Sequence, residues 1–312
     1  EGDPGLLKEV KGMGWFVKEY NLAQVTVNLL DYRVTPIHVL FEAVKKEAEN
    51  LNIAVTGSEI VGLVPLESLL MAADYYIERE KLFIYEEDQK VRLAINRLGL
   101  NAVAPFKPQE KIIDYRVAEK PEEPLAGLTV RAFIEEIGAR SSAPGGGSAA
   151  AAIAAMGVAL GAMVAKLTYG VRKFEPVQPQ MEQAIPVLHA LTRELIPLID
   201  ADTSAFNLYM QGLRMPQVTE AEKEVRLATM QAGLQTAIQV PLSTMRLGDS
   251  GWDSLLLVAR YGNPASRSDI QVGAKAVETG IWGAYQNVMI NMAEITDQQY
   301  KEKILAEAQA KA

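Results

Sequence analysis

The sequence has 312 residues, 49% of them apolar and 22% charged, with 31 basic and 39 acidic side chains giving a formal charge of −8. That length allows one or two domains with cores of their own. The acidic balance argues against a nucleic-acid or anionic-membrane partner, since both ask for a basic face.

With no cysteine and two histidines, disulfides, thiolate nucleophiles and cysteine metal sites are excluded; no metal is expected, and a reducing, cytoplasmic setting fits. No signal peptide is visible and the chain opens at Glu1 without a methionine, which suggests a fragment of a longer protein. Trp15 to Val17 and Gln24 to Leu29 read as two strands, turned at Glu19-Tyr20-Asn21. Thr35-Pro36 then starts a helix, threonine as cap and proline as first helical residue, with Ile37, Leu40, Phe41, Val44 and Ala48 at helical spacing. Ile53 to Thr56 reads as a third strand, and Leu66 to Glu80 and Glu86 to Leu98 as helices. Strands alternating with helices predict an α+β segment over 1–117. His38, among apolar neighbours, reads as structural, and the glycines of the 57–65 loop fit turns and a ligand wrap equally. Residues 118–124 are proline-rich and charged, a linker that opens a second domain over 125–312.

Everything after the linker reads as helix, an all-α bundle. Thr129 caps a helix carrying Phe133, Ile134 and Ile137. Ser141-Ser142-Ala143-Pro144-Gly145-Gly146-Gly147-Ser148 cannot continue it, whereas the alanine run from Ala149 can hardly avoid a helix, with Ser148 placed as its cap. A glycine-rich turn at a helix N-terminus suits a phosphate or carboxylate. It suits equally well two helices passing too close for side chains. It lacks the lysine of a Walker loop and no strand leads into it, so nucleotide binding is not expected. Ala149 to Ala165 is uncharged and nearly long enough to span a bilayer, but alanine and glycine gain little from lipid, so burial in protein is expected. Helical patterns follow over Gln180 to Met210, with kinks or breaks at Pro186 and Pro197, and over Glu220 to Val240, closing on Pro241. Leu242 to Leu247, Trp252 to Arg260, Ser268 to Ala293 and Asp297 to Ala310 complete the bundle.

Within it, Asp202, Phe206 and Tyr209 fall on one helical face, where a carboxylate beside aromatic rings either pairs with a cation or acquires a raised pKa; a plain surface charge fits as well. Asp200 points about 200° away, toward solvent or a neighbour. Gly262-Asn263-Pro264 is a turn with Ser268 or Asp269 as the next helix cap; Asn263 and Arg267 exceed what that turn needs. Lys275 and Glu278 are spaced for an ion pair, in a small-residue run that suggests partial burial of the lysine. Arg172 and Lys173 lie just past a helix end, where they complement its dipole or attract an anion.

Taken in order and spacing, Ser142 to Ser148, Leu167-Thr168-Tyr169-Gly170, Asp200-Ala201-Asp202, Gly262-Asn263, Ser268-Asp269 with Ala274-Lys275-Ala276, and Gly283 to Val288 resemble the cyclodeaminase domain of the formimidoyltransferase-cyclodeaminase family. Gly12 to Trp15, Asn21 to Val25, Asn28 to Asp31 and Gly57 to Pro65 are similar to the later part of that family's transferase domain, whose ferredoxin-like fold is then implied for the first segment. The family's N-terminal transferase subdomain, with its catalytic histidine, has no match, and His38 does not correspond to that histidine. The resemblance implies a homo-oligomer acting on tetrahydrofolate, polyglutamylated, in histidine breakdown, with closure of 5-formiminotetrahydrofolate to 5,10-methenyltetrahydrofolate and release of ammonia.

Such a closure needs a base for the attacking N10 and an acid for the departing nitrogen. Asp202 is expected to do both, with Asp200 as fallback if the helical phase breaks near Pro197. Lys275 and Arg172 would orient or balance charge. The turn Pro144, Gly145, Gly146, Gly147 and Ser148 would receive part of the folate, and Asn263, Ser268 and Asp269 would hydrogen-bond the pterin or amidine. A methenyltetrahydrofolate cyclohydrolase and a non-catalytic folate-channelling module are the alternatives.

Overall fold

The computed structural model describes residues 5–19, 21–117 and 123–311, and the chain divides into two units, Glu1–Pro121 and Glu122–Ala312. Residues 118–122 of the expected linker and Tyr20 of the expected turn lie outside the described residues.

In the first unit, β1 (Val10–Val17) and β2 (Leu22–Leu29) form an antiparallel hairpin in which Val10 faces Leu29 and Val17 faces Leu22. Among the described residues five helices follow: α1 (Ile37–Asn50), α2 (Leu66–Glu80), α3 (Glu87–Arg97) and the short α4 (Pro108–Lys111) and α5 (Ile113–Val117). The core lies among the helices, with Leu69, Ala73 and Tyr76 of α2 packed with Val91, Ala94 and Ile95 of α3. Thr35 does not cap α1; its hydroxyl donates to the Lys8 carbonyl at 2.6 Å and Pro36 stands at the cap. Ile53 to Thr56 forms no strand, because Ile53 N–H closes onto Ala48 O at 2.9 Å and among the described residues no strand pairs with the segment. His38 is buried and stacked on Tyr75, ring centroids 4.5 Å apart, and burial lowers its pKa.

The second unit is helical: α6 (Val130–Ile137), α7 (Gly146–Thr168), α8 (Gln178–Leu213), α9 (Glu220–Ser250), α10 (Trp252–Tyr261), α11 (Arg267–Asn291) and α12 (Gln298–Lys311). Thr129 caps α6 as expected, accepting from Ala132 N–H at 3.2 Å. α7 is the central rod, packed against α8 and α11. Its composition would let it cross a bilayer, yet 67% of its apolar window is buried in the protein. Alanine and glycine let it touch α11 almost backbone to backbone. A methyl group at Gly157 would come within 2.7 Å of the Gly273 carbonyl, and one at Gly280 within 2.8 Å of the Ala154 nitrogen. The two helices run antiparallel, since Gly157 lies by Gly273 and Gly146 by Asn287.

The expected breaks at three prolines do not occur. α8 runs unbroken through Pro186 and Pro197, and α9 through Pro241, which is itself buried. An interior proline costs about 3 kcal/mol. Met181, Ile185, Leu188 and Leu195 of α8 are fully buried, and each gains roughly 1.5–3 kcal/mol by it. Tertiary burial outweighs the local penalty.

Candidate functional site

The proline–glycine turn meets α8 at a half-buried carboxylate. α7 begins at Gly146, inside the glycine run, with Gly145 at the cap and no side-chain cap bond. Ser148 is therefore the third helical residue, not the cap. Its hydroxyl, fully buried, donates to Asp202 Oδ2 at 3.1 Å and shares a hydrogen bond with Thr203 Oγ1 at 3.2 Å. The Ser148 N–H also bonds Asp202. The anion at this helix N-terminus is thus a side chain from α8, where the dipole and free N–H groups favour negative charge.

Gly147 is required by this arrangement. A methyl group there would lie 2.5 Å from Asp202 Cγ and 2.6 Å from Oδ2. At Gly146 it would meet Asn287 Nδ2 of α11 at 3.1 Å. Burial pushes the Asp202 carboxyl above its ordinary pKa, against the smaller opposing pull of the Ser148 hydroxyl and N–H, and no charged neighbour contributes. A carboxylate so placed holds a proton more readily than one in water.

Asp200 has a different task. It is 9% exposed, and its two oxygens accept from Leu125 N–H at 2.7 Å and Ala126 N–H at 3.1 Å. Rather than facing solvent, it fastens the segment entering the bundle, and both oxygens are occupied.

One turn beyond Asp202, Phe206 enters the wall of a cavity of about 520 Å³, lined from α8 also by Asn207, Met210 and Gln211, and by Arg214 and Ser142. A smaller cavity of about 70 Å³ is bounded by Phe206, Tyr209 and Asn291. Tyr209 donates to Glu294 Oε2 at 2.6 Å, and that bond raises its pKa.

The other expected site residues lie elsewhere. Asn263 is at the far end of α7, where its N–H bonds the Thr168 hydroxyl at 2.8 Å and its side chain accepts from Ala265 N–H at 3.0 Å. Arg172 is exposed in the 3-10 turn after α7. Ser268 and Asp269 are in the first turn of α11 and cap nothing; the cap position is Ser266, without a side-chain bond. Along α7 this end is about 33 Å from Gly146 at 1.5 Å per residue. Lys275 is exposed, not partly buried, and paired with Glu278 at 2.8 Å; it lies twelve residues before Asn287, about 18 Å along α11. Within one chain, then, Arg172, Lys275, Asn263, Ser268 and Asp269 are not brought to Asp202. Sequence reasoning missed Thr203 as a partner of Ser148, and Phe206 and Arg214 as lining of the cavity. Thr203 adjoins Asp202 and offered a signal; Arg214 offered none. Among the described residues no group of three His, Cys, Asp or Glu side chains could hold a metal ion.

Residues 129–310 match the family described as Formiminotransferase-cyclodeaminase, and residues 1–118 match the Formiminotransferase domain. The chain is 52% identical over 310 residues to a Formimidoyltransferase-cyclodeaminase of Dictyostelium discoideum, covering 99% of this chain and 57% of that relative, so it spans little more than half the relative's length. It is also 34% identical over 179 residues to a Methenyltetrahydrofolate cyclohydrolase of Methylorubrum extorquens, covering 57% of this chain and 86% of that one. Among solved structures, a formiminotetrahydrofolate cyclodeaminase from Thermotoga maritima superposes with a TM-score of 0.53 at 27% identity, covering 59% of this chain and 88% of that one.

Proposed function

The chain belongs to the formiminotransferase-cyclodeaminase family, and from that premise we propose that its helical unit closes 5-formiminotetrahydrofolate to 5,10-methenyltetrahydrofolate with release of ammonia, Asp202 carrying the proton. N10 of the folate adds to the carbon of the protonated amidine, and Asp202 takes the proton that N10 loses. The carbon is then tetrahedral, bonded to N5, N10 and an amino group. Asp202 returns the proton to that amino group, the carbon–nitrogen bond breaks, and ammonia leaves with the methenyl cation behind it. One carboxylate serves as base and then acid, which requires a pKa above that of a solvated aspartate. The observation that carries this reading is the Asp202 carboxyl, half-buried, raised in pKa and fixed by Ser148 one helical turn from a cavity of about 520 Å³.

The remaining family-like residues, Lys275 and Arg172 among them, would reach this centre from a second copy of the chain. Met156, Leu167 and Trp282, 58%, 52% and 61% exposed, give α7 and α11 an apolar outer face for such a contact. A monomer by sedimentation at assay concentration, with full activity, removes this element.

The test follows methenyl-folate absorbance and ammonia together. Wild-type protein is expected to form both from 5-formiminotetrahydrofolate, and Asp202→Asn to lose about 10²–10⁴-fold in kcat with its helical circular dichroism intact. An Asp202→Asn protein turning over at the wild-type rate takes Asp202 out of the mechanism. A second reading, hydrolysis of 5,10-methenyltetrahydrofolate, is favoured by the cyclohydrolase relative. It prevails if wild-type protein consumes methenyl-folate and releases no ammonia from the formimino substrate; activity on neither leaves a non-catalytic module.

A further inference from the structure

The cavity beside the glycine turn has one charged side chain in its lining, Arg214. The residue stands at the C-cap of α8, where a cation complements the helix dipole. That accounts for a positive charge at the position. It does not account for the side chain facing a cavity of about 520 Å³ while making no ion pair and no side-chain hydrogen bond among the described residues. No carboxylate lines the same space. Phe206 and Met210 provide apolar wall, Asn207 and Gln211 provide amides, and Ser142 closes the cavity from the turn. An aromatic group joined through an amide to a carboxylate matches that lining in kind.

Length decides which part of a folate fits. Arg214 is twelve residues past Asp202, about 18 Å along the α8 axis. Arg214 also stands about 120° around the helix from Asp202, so a guanidinium reaching back toward the N-terminus leaves roughly 16 Å to the proton carrier. From N10 through the benzoyl ring and the amide to the α-carboxyl carbon of the glutamate is eight bonds, about 10 Å at standard bond lengths. With a hydrogen bond of about 3 Å at each end, the two spans agree.

We propose that Arg214 is a specificity-determining residue that binds a carboxylate of the folate's glutamyl tail, with the benzoyl ring held between Phe206 and Met210. The proposal rests on the folate reading above and names the tail end of that same site.

Substrate with its glutamate is compared with the pteroate counterpart that lacks it, by KM and by equilibrium binding, in wild-type protein, Arg214→Ala and Arg214→Lys. The wild-type preference for the glutamylated compound is expected to fall about tenfold in Arg214→Ala, the loss of one charge-assisted contact at an exposed site, and to be partly retained in Arg214→Lys. The change should sit in KM rather than kcat, since the tail is remote from the reacting carbon. An Arg214→Ala protein whose preference between the two compounds equals the wild-type preference overturns the assignment. Wild-type protein that binds neither compound defeats the folate reading itself, a result distinct from an unchanged preference.

Discussion

Gly147→Ala moves the Asp202 carboxylate without changing its chemistry. The added methyl would stand 2.5 Å from Asp202 Cγ, and an ordinary contact begins at 3.4 Å, so the carboxylate must retreat by at least 0.9 Å. The Ser148 hydroxyl bond is already 3.1 Å long and does not survive that displacement in its present geometry. Overpacking at a buried contact costs about 1–3 kcal/mol. Alanine in place of a helical glycine returns up to about 1 kcal/mol, since Gly147 lies within α7. The net expectation is a modest loss of roughly 0–2 kcal/mol in urea unfolding. Turnover should fall far more, about 10²-fold, because a misplacement of that size takes a proton carrier out of reach. Ammonia release and urea denaturation on the same preparation separate the two effects. Wild-type kcat with a destabilised fold would refute the reasoning, by showing that the position of this carboxylate does not govern the rate.

Two further expectations concern the paired aspartates. Asp200→Ala strips the acceptors from Leu125 and Ala126 N–H and is expected to cost about 2–4 kcal/mol in denaturant unfolding, from two amides left without partners; a loss below 1 kcal/mol would show that water replaces them. The raised Asp202 pKa gives the pH profile its sign. The folded state binds this proton more tightly than the unfolded chain, so stability falls as pH rises from the unfolded value near ~3.9 through the folded one, and Asp202→Asn should lack that descent. Over the same interval wild-type kcat should rise with pH as the base ionises, and a rate flat in pH there would count against Asp202 as the base.

The helical unit was largely legible because apolar spacing at a period near 3.6 survives in sequence whatever the helix packs on. Prolines misled where burial overrode them, at Pro197 and Pro241. The start of α7 was misplaced for a physical reason: glycine is a poor helix former, and the Asp202 carboxylate, supplied from 54 residues away, offsets the two glycines of the first turn. Local propensity contains no term for a cap from another helix. Asp202 could be singled out beforehand because a carboxylate on an aromatic helical face is conspicuous. Its division of labour with Asp200 could not, because both partners of Asp200 are backbone groups with no sequence signature. The strand expected at Ile53 to Thr56 shows the converse limit, β propensity without a neighbour to pair.

The contact between α7 and α11 bears on how this protein can be altered. Two rods touching through glycine and alanine have almost no side chains to rearrange, so neither can absorb an added atom by repacking. Variation in substrate preference would have to enter through α8, whose cavity-facing side chains are long and replaceable. The α7–α11 contact is effectively cast, and the cavity wall on α8 is the part that mutation can retool.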